Sequence, residues 1–173
     1  MKGFTLLEVL VSLTLITVGI LGVLGLMAYV LTGAKVSYQK LIAVQLAQEG
    51  VELVRNIRDI NWRENAPKWD DGIKGTGGER AGIIDYNDTE ILTSYFNPPY
   101  SDVDACGENC RLYWDGVFYS HQSAGQPTNF YRLILLESIA PDQIKVISQV
   151  KWSEQGRNHY VEVTDYLYDW WAP

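Results

Sequence analysis

The chain has 173 residues and a net charge of −7, from 14 Lys and Arg against 21 Asp and Glu. This acidic balance (pI about 4.8) argues against a nucleic-acid-binding domain and against a polybasic membrane-surface binder, since both need a basic face. Residues 9–34 carry no charge, whereas residues 59–173 carry 9 basic and 18 acidic side chains, a net charge of 9 − 18 = −9. The composition therefore excludes a purely soluble globule.

The first predicted element is a membrane-spanning helix in the apolar segment Val9–Leu31. As a helix this segment spans roughly 35 Å, enough to cross a hydrocarbon core of about 30 Å. The polar members are Ser12, Thr14 and Thr17, whose hydroxyls can bond to helix carbonyls. A secretory signal peptide would have a shorter apolar run followed by an A-x-A-like site, and neither is present. A plain single-pass anchor remains as an alternative.

Glu8 lies at the edge of this apolar run. A helix that served only as a membrane anchor would not need a carboxylate at this position. A carboxylate at membrane depth costs on the order of 2.5–3.5 kcal/mol, so it is retained where it has a partner or a task. One alternative is an acidic residue that simply favours the helix dipole. The order Lys-Gly-Phe-Thr-Leu-Leu-Glu-Val over residues 2–9 combines this carboxylate with a basic leader and a Gly-Phe junction.

This motif, with the apolar run after it, resembles the N-terminus of type IV prepilins and pseudopilins over about the first 30 residues. The resemblance implies that residues 1–3 are a leader peptide, cut by prepilin peptidase after Gly3, and that Phe4 is then N-methylated. It also implies that Glu8 pairs with the amino group of Phe4 on a neighbouring subunit. A slipped subunit would leave both charges unpaired in a low-dielectric bundle, so Glu8 is predicted to set the register.

We expect one uninterrupted helix from Phe4 to about Ile57. Residues 4–34 are its transmembrane or filament-core part and residues 35–58 its amphipathic part, with apolar side chains on half of the helical wheel. Gly50 lies on the apolar side, where a close neighbour would need room. Three further glycines indicate either close helix packing or local weakening of the helix, namely Gly19, Gly22 and Gly25.

Residues 59–173 are predicted to form an exported globular domain with an antiparallel sheet. Its sheet should pack on the amphipathic half of the helix, which gives an α+β fold similar to that of pilins. A loop is expected at 61–82, a strand or short turn at 83–96 and a break at 97–100. Strands are predicted at 111–114 and 117–121 around a two-residue Asp115-Gly116 turn, and at 130–139, 143–153 and 158–168, the last two joined by a turn at 154–157.

Cys106 and Cys110 are the only cysteines. A domain outside the cytoplasm meets oxidising conditions, so a disulfide closing a short loop is the favoured interpretation, with free thiols as the alternative. A zinc site would need two more ligands, and the spacing of His121 and His159 fits no zinc pattern.

No cofactor is expected. An acidic group could bind calcium through its oxygen ligands, but it lacks the EF-hand spacing, so solvated acidic loops are favoured. Its members are Asp85, Asn87, Asp88, Glu90, Asp102, Asp104 and Glu108. The 6 Trp and 11 Tyr are expected mainly in the sheet core or at subunit contacts, with surface adhesion as the alternative.

The sequence contains no constellation typical of an enzyme. The resemblance predicts a minor pilin or pseudopilin, a structural subunit of a type IV pilus or type II secretion-like filament. The implied partners are other such subunits, prepilin peptidase, an inner-membrane assembly platform and membrane lipid, without nucleic acid. The chain would be a single-pass inner-membrane protein with its C-terminal domain outside the cytoplasm, and part of the filament after assembly. The alternative is a membrane-anchored extracytoplasmic binding or sensor domain that does not polymerise.

Overall fold

The computed structural model describes residues 5–73, 80–91, 100–154 and 156–171. One helix, α1, runs from Leu6 to Arg63, and the chain divides into two compact units, residues 1–39 and residues 40–173. The described part of the first unit is helical apart from Thr5. The second unit holds the C-terminal part of α1 and an antiparallel sheet packed against it, which confirms the predicted α+β class.

The sheet of the second unit has six antiparallel strands in the order β3-β2-β4-β5-β6, and the short β1 also pairs with β4. β4, β5 and β6 form a meander with tight connections, because Ala140 pairs with Gln143 and Glu154 pairs with Arg157. The strands are β1 (Arg80–Gly82), β2 (Arg111–Trp114), β3 (Tyr119–Ser120), β4 (Gln126–Ala140), β5 (Gln143–Glu154) and β6 (Arg157–Tyr168).

The helix-facing side of the sheet packs on the apolar stripe of α1. The first of two core clusters joins Val54 and Ile57 to strand residues that include Val146. The second joins Leu46 and neighbouring alanines to residues of β2, β4 and β5, including the buried Trp152. The predicted stripe is confirmed, since the following residues are all buried or half-buried: Ile42, Ala43, Val44, Leu46, Ala47, Val51, Leu53, Val54 and Ile57.

Gly50 is the point of closest approach between α1 and the sheet. A Cβ atom at this position would lie 2.5 Å from Ser148 Oγ, 2.8 Å from Ile134 Cδ1 and 3.3 Å from Arg132 Cδ. The residues of β5 alternate between buried and half-buried over most of the strand, and Ser148 is among the buried ones. The expected need for room at Gly50 is therefore confirmed, and the neighbours are side chains of β4 and β5.

The opposite face of the sheet is partly covered by a short helix, α2 (Val103–Cys106), and the 3₁₀ turn Gly107–Cys110 that follows it. These elements pack with Leu133 in a third cluster. Successive residues of a strand point to opposite faces, so β4 supplies side chains to the layers on both sides of the sheet. The domain thus has α1 on one face and the cysteine-containing loop on the other.

Two boundaries at the end of α1 differ from the prediction. The helix continues to Arg63 rather than ending near Ile57, so the loop predicted from residue 61 is wrong there. No Pro or Gly interrupts the chain after Gly50 until Pro67, which allows the extra turn. Two residues after the helix ends, Asn65 has a φ of 52°. This left-handed conformation is common just after a helix C-terminus.

The predicted loop at 61–82 is wrong at its other end as well, because β1 (Arg80–Gly82) pairs with Leu136 to Ile134 of β4. The predicted two-residue turn at Asp115-Gly116 is also wrong: Trp114 pairs with Tyr119, which leaves the four-residue loop 115–118. The Asp115 carboxylate accepts hydrogen bonds from the backbone N–H groups of residues 117 and 118, both at 2.7 Å, and this side-chain cap widens the turn.

Those hydrogen bonds also shorten the following strand, since β3 covers only Tyr119–Ser120 of the predicted 117–121. For the segment 83–96, where a strand or short turn is predicted, residues 86–87 form a turn, residues 89–90 form a bend, and no strand runs through residues 84–91. Residues 92–96, and residues 97–99 of the predicted break, lie outside the described residues.

Candidate functional site in the N-terminal helix

The apolar helix of the first unit is not covered by any other described element of that unit. Every side chain from Thr5 to Lys35 is exposed, including large residues such as Leu6 and Tyr29. By length and composition, α1 is able to cross a membrane. Leaving so much apolar surface in water is unfavourable by about 25 cal/mol per Å², so this segment needs lipid or neighbouring helices around it.

Glu8 lies in the first turn of α1 and its side chain is exposed. Its backbone N–H donates to Thr5 Oγ1 at 3.3 Å, so Thr5 caps the start of the helix. Among residues 5–73, 80–91, 100–154 and 156–171, none forms an ion pair with the Glu8 carboxylate. Gly3 and Phe4, the predicted processing residues, lie outside the described residues. Their predicted roles and that of Glu8 in assembly remain predictions.

The hydroxyl groups of the apolar segment are satisfied within the helix. Ser12 donates to the Glu8 carbonyl at 2.7 Å, Thr14 to the Val11 carbonyl at 2.8 Å, and Thr17 to the Leu13 carbonyl at 3.0 Å. An unsatisfied polar group is costly in hydrocarbon, so these bonds make the surface compatible with lipid or with a dry bundle. Glu8 is the one Asp, Glu, Lys or Arg residue between Thr5 and Ala34.

The three glycines of the apolar segment leave its surface open. A Cβ atom at Gly19, Gly22 or Gly25 would meet nothing within 4 Å. The helix is continuous through all three positions. In this unit the glycines therefore expose backbone that a neighbouring helix could approach closely, as small residues do in membrane helix pairs.

In the second unit, Cys106 and Cys110 are joined by a disulfide, with Cα atoms 5.8 Å apart. Both cysteines are buried in the third core cluster. Asp102 caps α2 by accepting a hydrogen bond from the Ala105 N–H at 2.8 Å, and this bond lowers the pKa of Asp102. The disulfide thus holds the loop that covers the outer face of the sheet.

The acidic residues considered for calcium interact with groups of the protein itself. Asp104 accepts hydrogen bonds from Lys151 at 2.6 Å and from Tyr160 at 2.8 Å, and these bonds lower its pKa. Glu108 contacts Arg111 at 3.0 Å. Across the described ranges, no three His, Cys, Asp or Glu side chains form a group able to hold a metal ion.

Sequence reasoning missed a buried polar network under α1. The Arg132 side chain is fully buried in β4 and donates to the Leu46 carbonyl at 3.3 Å and the Ile84 carbonyl at 2.7 Å. Its guanidinium lies 3.4 Å from Glu49 of the helix and 3.7 Å from the buried carboxylate of Asp85. The signal for this network is a lone arginine in the apolar run 130–136, because a buried cation needs carboxylate or carbonyl partners.

His121 completes this network. Its Nδ1 lies 2.7 Å from Asp85 Oδ1, its backbone N–H donates to the same carboxylate, and its Nε2 lies 3.2 Å from the Arg132 carbonyl. Burial alone would raise the pKa of Asp85, but the hydrogen bonds from His121 outweigh it, so the pKa is lowered. His121 thus serves the fold of the second unit, where it fixes the segment around Asp85 against the sheet.

Comparison with known proteins agrees with the N-terminal motif. A family model described as the prokaryotic N-terminal methylation motif matches residues 1–28. Comparisons with curated proteins and with solved structures give no match to this chain. The matched residues include Lys2, Glu8 and most of the exposed apolar helix. Residues 1–28 therefore carry the type IV prepilin-like N-terminal methylation motif.

Proposed function

We propose that the chain is a minor pilin or pseudopilin, a structural subunit of a type IV pilus or a type II secretion-like filament. Residues 1–3 form the leader, residues 4–34 the transmembrane and filament-core segment, residues 35–58 the amphipathic segment, and residues 59–173 the exported domain. The single observation that carries the proposal is the methylation motif at residues 1–28. The exposed apolar surface of the helix from Leu6 to Leu31 supports it, since assembly through helices would cover that surface.

In this proposal the subunit first resides in the inner membrane, with the exported domain outside the cytoplasm. Prepilin peptidase cuts between Gly3 and Phe4, and the new N-terminal amine of Phe4 is methylated. The assembly platform then transfers the subunit into the filament, where Glu8 pairs with the amine of a neighbouring subunit. Pairing removes the cost of an isolated carboxylate in a low-dielectric bundle.

Processing is tested by co-expressing the full chain with an active prepilin peptidase and measuring its intact mass. We expect the mass to fall by residues 1–3 and to rise by one methyl group. A Gly3→Leu variant serves as the control and should keep its full mass, because the site before Phe4 is blocked. An uncleaved parent chain beside a cleaved reference prepilin would refute the proposal.

The role of Glu8 is tested separately with the Glu8→Ala variant. We expect normal cleavage but reduced incorporation into filaments, measured by immunoblot of sheared filament fractions. Ser12→Ala is a matched control one turn further along the same helix, where only an internal hydrogen bond is lost. Normal incorporation of Glu8→Ala would contradict the predicted register role.

The second candidate function is a membrane-anchored extracytoplasmic binding or sensor domain that does not polymerise. The compact second unit, residues 40–173, favours it, since such a domain also needs a folded unit of its own. It predicts that the N-terminus stays intact and that export is unchanged when the pilus or secretion apparatus is deleted. The mass measurement therefore separates the two functions directly.

A further inference from the structure

Four of the six tryptophans lie close together in the second unit. Trp62 and Trp69 lie near the end of α1, and Trp170 and Trp171 follow the end of β6. The Trp170 ring lies 4.8 Å from the Trp62 ring and 5.8 Å from the Trp171 ring, and both contacts are edge-to-face. Trp69 lines the same cleft as Trp62 and Trp171. Trp152, by contrast, is buried in the core. The methylation motif and the proposed assembly through the helix make no use of this group.

Three of these tryptophans, Trp62, Trp69 and Trp171, line a cleft of about 340 Å³. This volume lies at the lower end of the range of about 300–1,000 Å³ typical of small-ligand sites. Asn65 and Asp169 add a carboxamide and a carboxylate to its lining. The cleft thus combines flat aromatic surface with a few hydrogen-bonding groups, which is the usual composition of a ligand pocket.

The walls of the cleft are held in place by hydrogen bonds. The Asn61 carboxamide, at the end of α1, donates to the Trp69 carbonyl at 3.0 Å and to the Asp71 carbonyl at 2.8 Å. On the other side, the Asp169 N–H donates to the Asp142 carbonyl at 2.9 Å. These bonds tie both walls to the ends of regular elements, so the cleft is formed before any ligand arrives.

Trp171, which lines the cleft, is 56% exposed. Trp170, which contacts the Trp62 and Trp171 rings beside the cleft, is 66% exposed. Tryptophan is highly buried on average in folded proteins, so two adjacent exposed indoles are informative. An exposed aromatic patch rimmed by polar groups marks a binding surface.

We propose that this cleft binds a neutral oligosaccharide built of pyranose rings. The apolar C–H face of a pyranose would stack on the Trp171 indole. Its hydroxyl groups would donate to the Asp169 carboxylate and exchange hydrogen bonds with the Asn65 carboxamide. The proposal goes beyond the filament role and does not depend on it.

Two other ligand classes fit the cleft less well. An anionic ligand would face the Asp169 carboxylate in the wall and the acidic balance of the exported domain. A quaternary ammonium would need free ring faces around it. The Arg58 guanidinium lies 4.5 Å from the centre of the Trp62 ring and already places a cation on that ring.

The test uses the full chain in phosphatidylglycerol nanodiscs, which contain neither sugar nor quaternary ammonium. Cellotetraose, chitotetraose and maltotetraose are titrated by calorimetry. We expect at least one of them to bind with a Kd on the order of 1 mM or tighter, and Trp171→Ala to weaken that binding about tenfold or more. Trp114→Ala is the matched control, because this tryptophan is exposed on the β2–β3 hairpin away from the cleft.

A second variant keeps the proposal testable if Trp171→Ala fails to fold. Asn65→Gly removes the carboxamide at a φ of 52°, where glycine is well accommodated, and should weaken binding several-fold while the unfolding temperature stays unchanged. Three outcomes would overturn the proposal. They are no binding of any tetrasaccharide, equal losses in Trp114→Ala and Trp171→Ala, or binding of tetramethylammonium in place of sugar.

Discussion

The contact between Gly50 and the sheet predicts that a single added methyl group destabilises the second unit. In Gly50→Ala, the new Cβ atom would lie 2.5 Å from Ser148 Oγ and 2.8 Å from Ile134 Cδ1. The Ile134 methyl is the far end of a flexible side chain and can turn aside. Ser148 sits on a short side chain in β5, whose backbone pairs with β4 on one side and β6 on the other. The serine contact is therefore the harder one to relieve.

Two effects of opposite sign determine the magnitude. Alanine is favoured over glycine in a helix interior by about 1 kcal/mol. Overpacking a well-packed core costs about 1–3 kcal/mol. We therefore expect Gly50→Ala to lower the free energy of unfolding by about 1 kcal/mol. The matched control is Gly33→Ala in the same helix, where a Cβ atom meets nothing within 4 Å and no loss is expected.

A double-mutant cycle with Ser148→Ala isolates the contact. Ser148 Oγ is buried without a hydrogen-bond partner among the described residues, so its removal alone should be neutral or slightly stabilising. In the Ser148→Ala background, the cost of Gly50→Ala should largely disappear. Urea unfolding of the full chain in detergent micelles, followed by tryptophan fluorescence, measures all four species. If Gly50→Ala lowers the free energy of unfolding by the same amount, within about 0.3 kcal/mol, in the parent and in the Ser148→Ala background, the contact with Ser148 is not the cause.

Three further predictions use the same unfolding assay. Replacing Cys106 and Cys110 together by serine should lower the free energy of unfolding by about 2 kcal/mol, because the closed loop is short, and reductant should then have no further effect. Arg132→Met should cost about 3 kcal/mol or more, since the buried Asp85 carboxylate loses a nearby cation; a loss below about 1 kcal/mol would contradict this. The lowered pKa of Asp85 contributes stability that is present above the unfolded pKa of about 4 and is lost as the pH falls through the folded pKa. Below about pH 4, stability should therefore fall more steeply in the parent chain than in Asp85→Asn, and parallel pH profiles would count against the role of the His121 hydrogen bonds.

The helix could be read from the sequence because its signals are local. An uncharged run predicts the segment up to Leu31, and the 3.6-residue period predicts which side of the amphipathic part is buried. Gly50 could be placed on that side by the same period. The sequence of β5 likewise alternates around Ile144, Val146, Ser148, Val150 and Trp152, and these residues form its buried face. In each case, neighbouring residues of the chain carry the whole signal.

The remaining features depend on partners far away in the sequence. β1 is a strand because it pairs with β4 more than fifty residues later. The Gly-rich sequence before Arg80 predicts a loop, so the sequence alone does not indicate this strand. The burial of Arg132 depends on carbonyls of α1 and of the segment around Ile84, together with Asp85. The four-residue hairpin loop depends on the rotamer of Asp115. Periodicity contains no information about such distant or side-chain-specific bonds.

The position of β6 at the end of the strand order leaves one edge of the sheet available for pairing with another chain. Among the described residues β6 pairs only with β5, so one side of a twelve-residue strand carries backbone groups that are open to another chain. Asp165, on the helix-facing side of β6, contacts Arg55 of α1 at 2.6 Å. If β6 paired with the sheet of another chain instead of its own, the Asp165 carboxylate would lose its contact with Arg55 and would face an apolar surface. The Asp165 carboxylate thus disfavours strand exchange between copies of this chain.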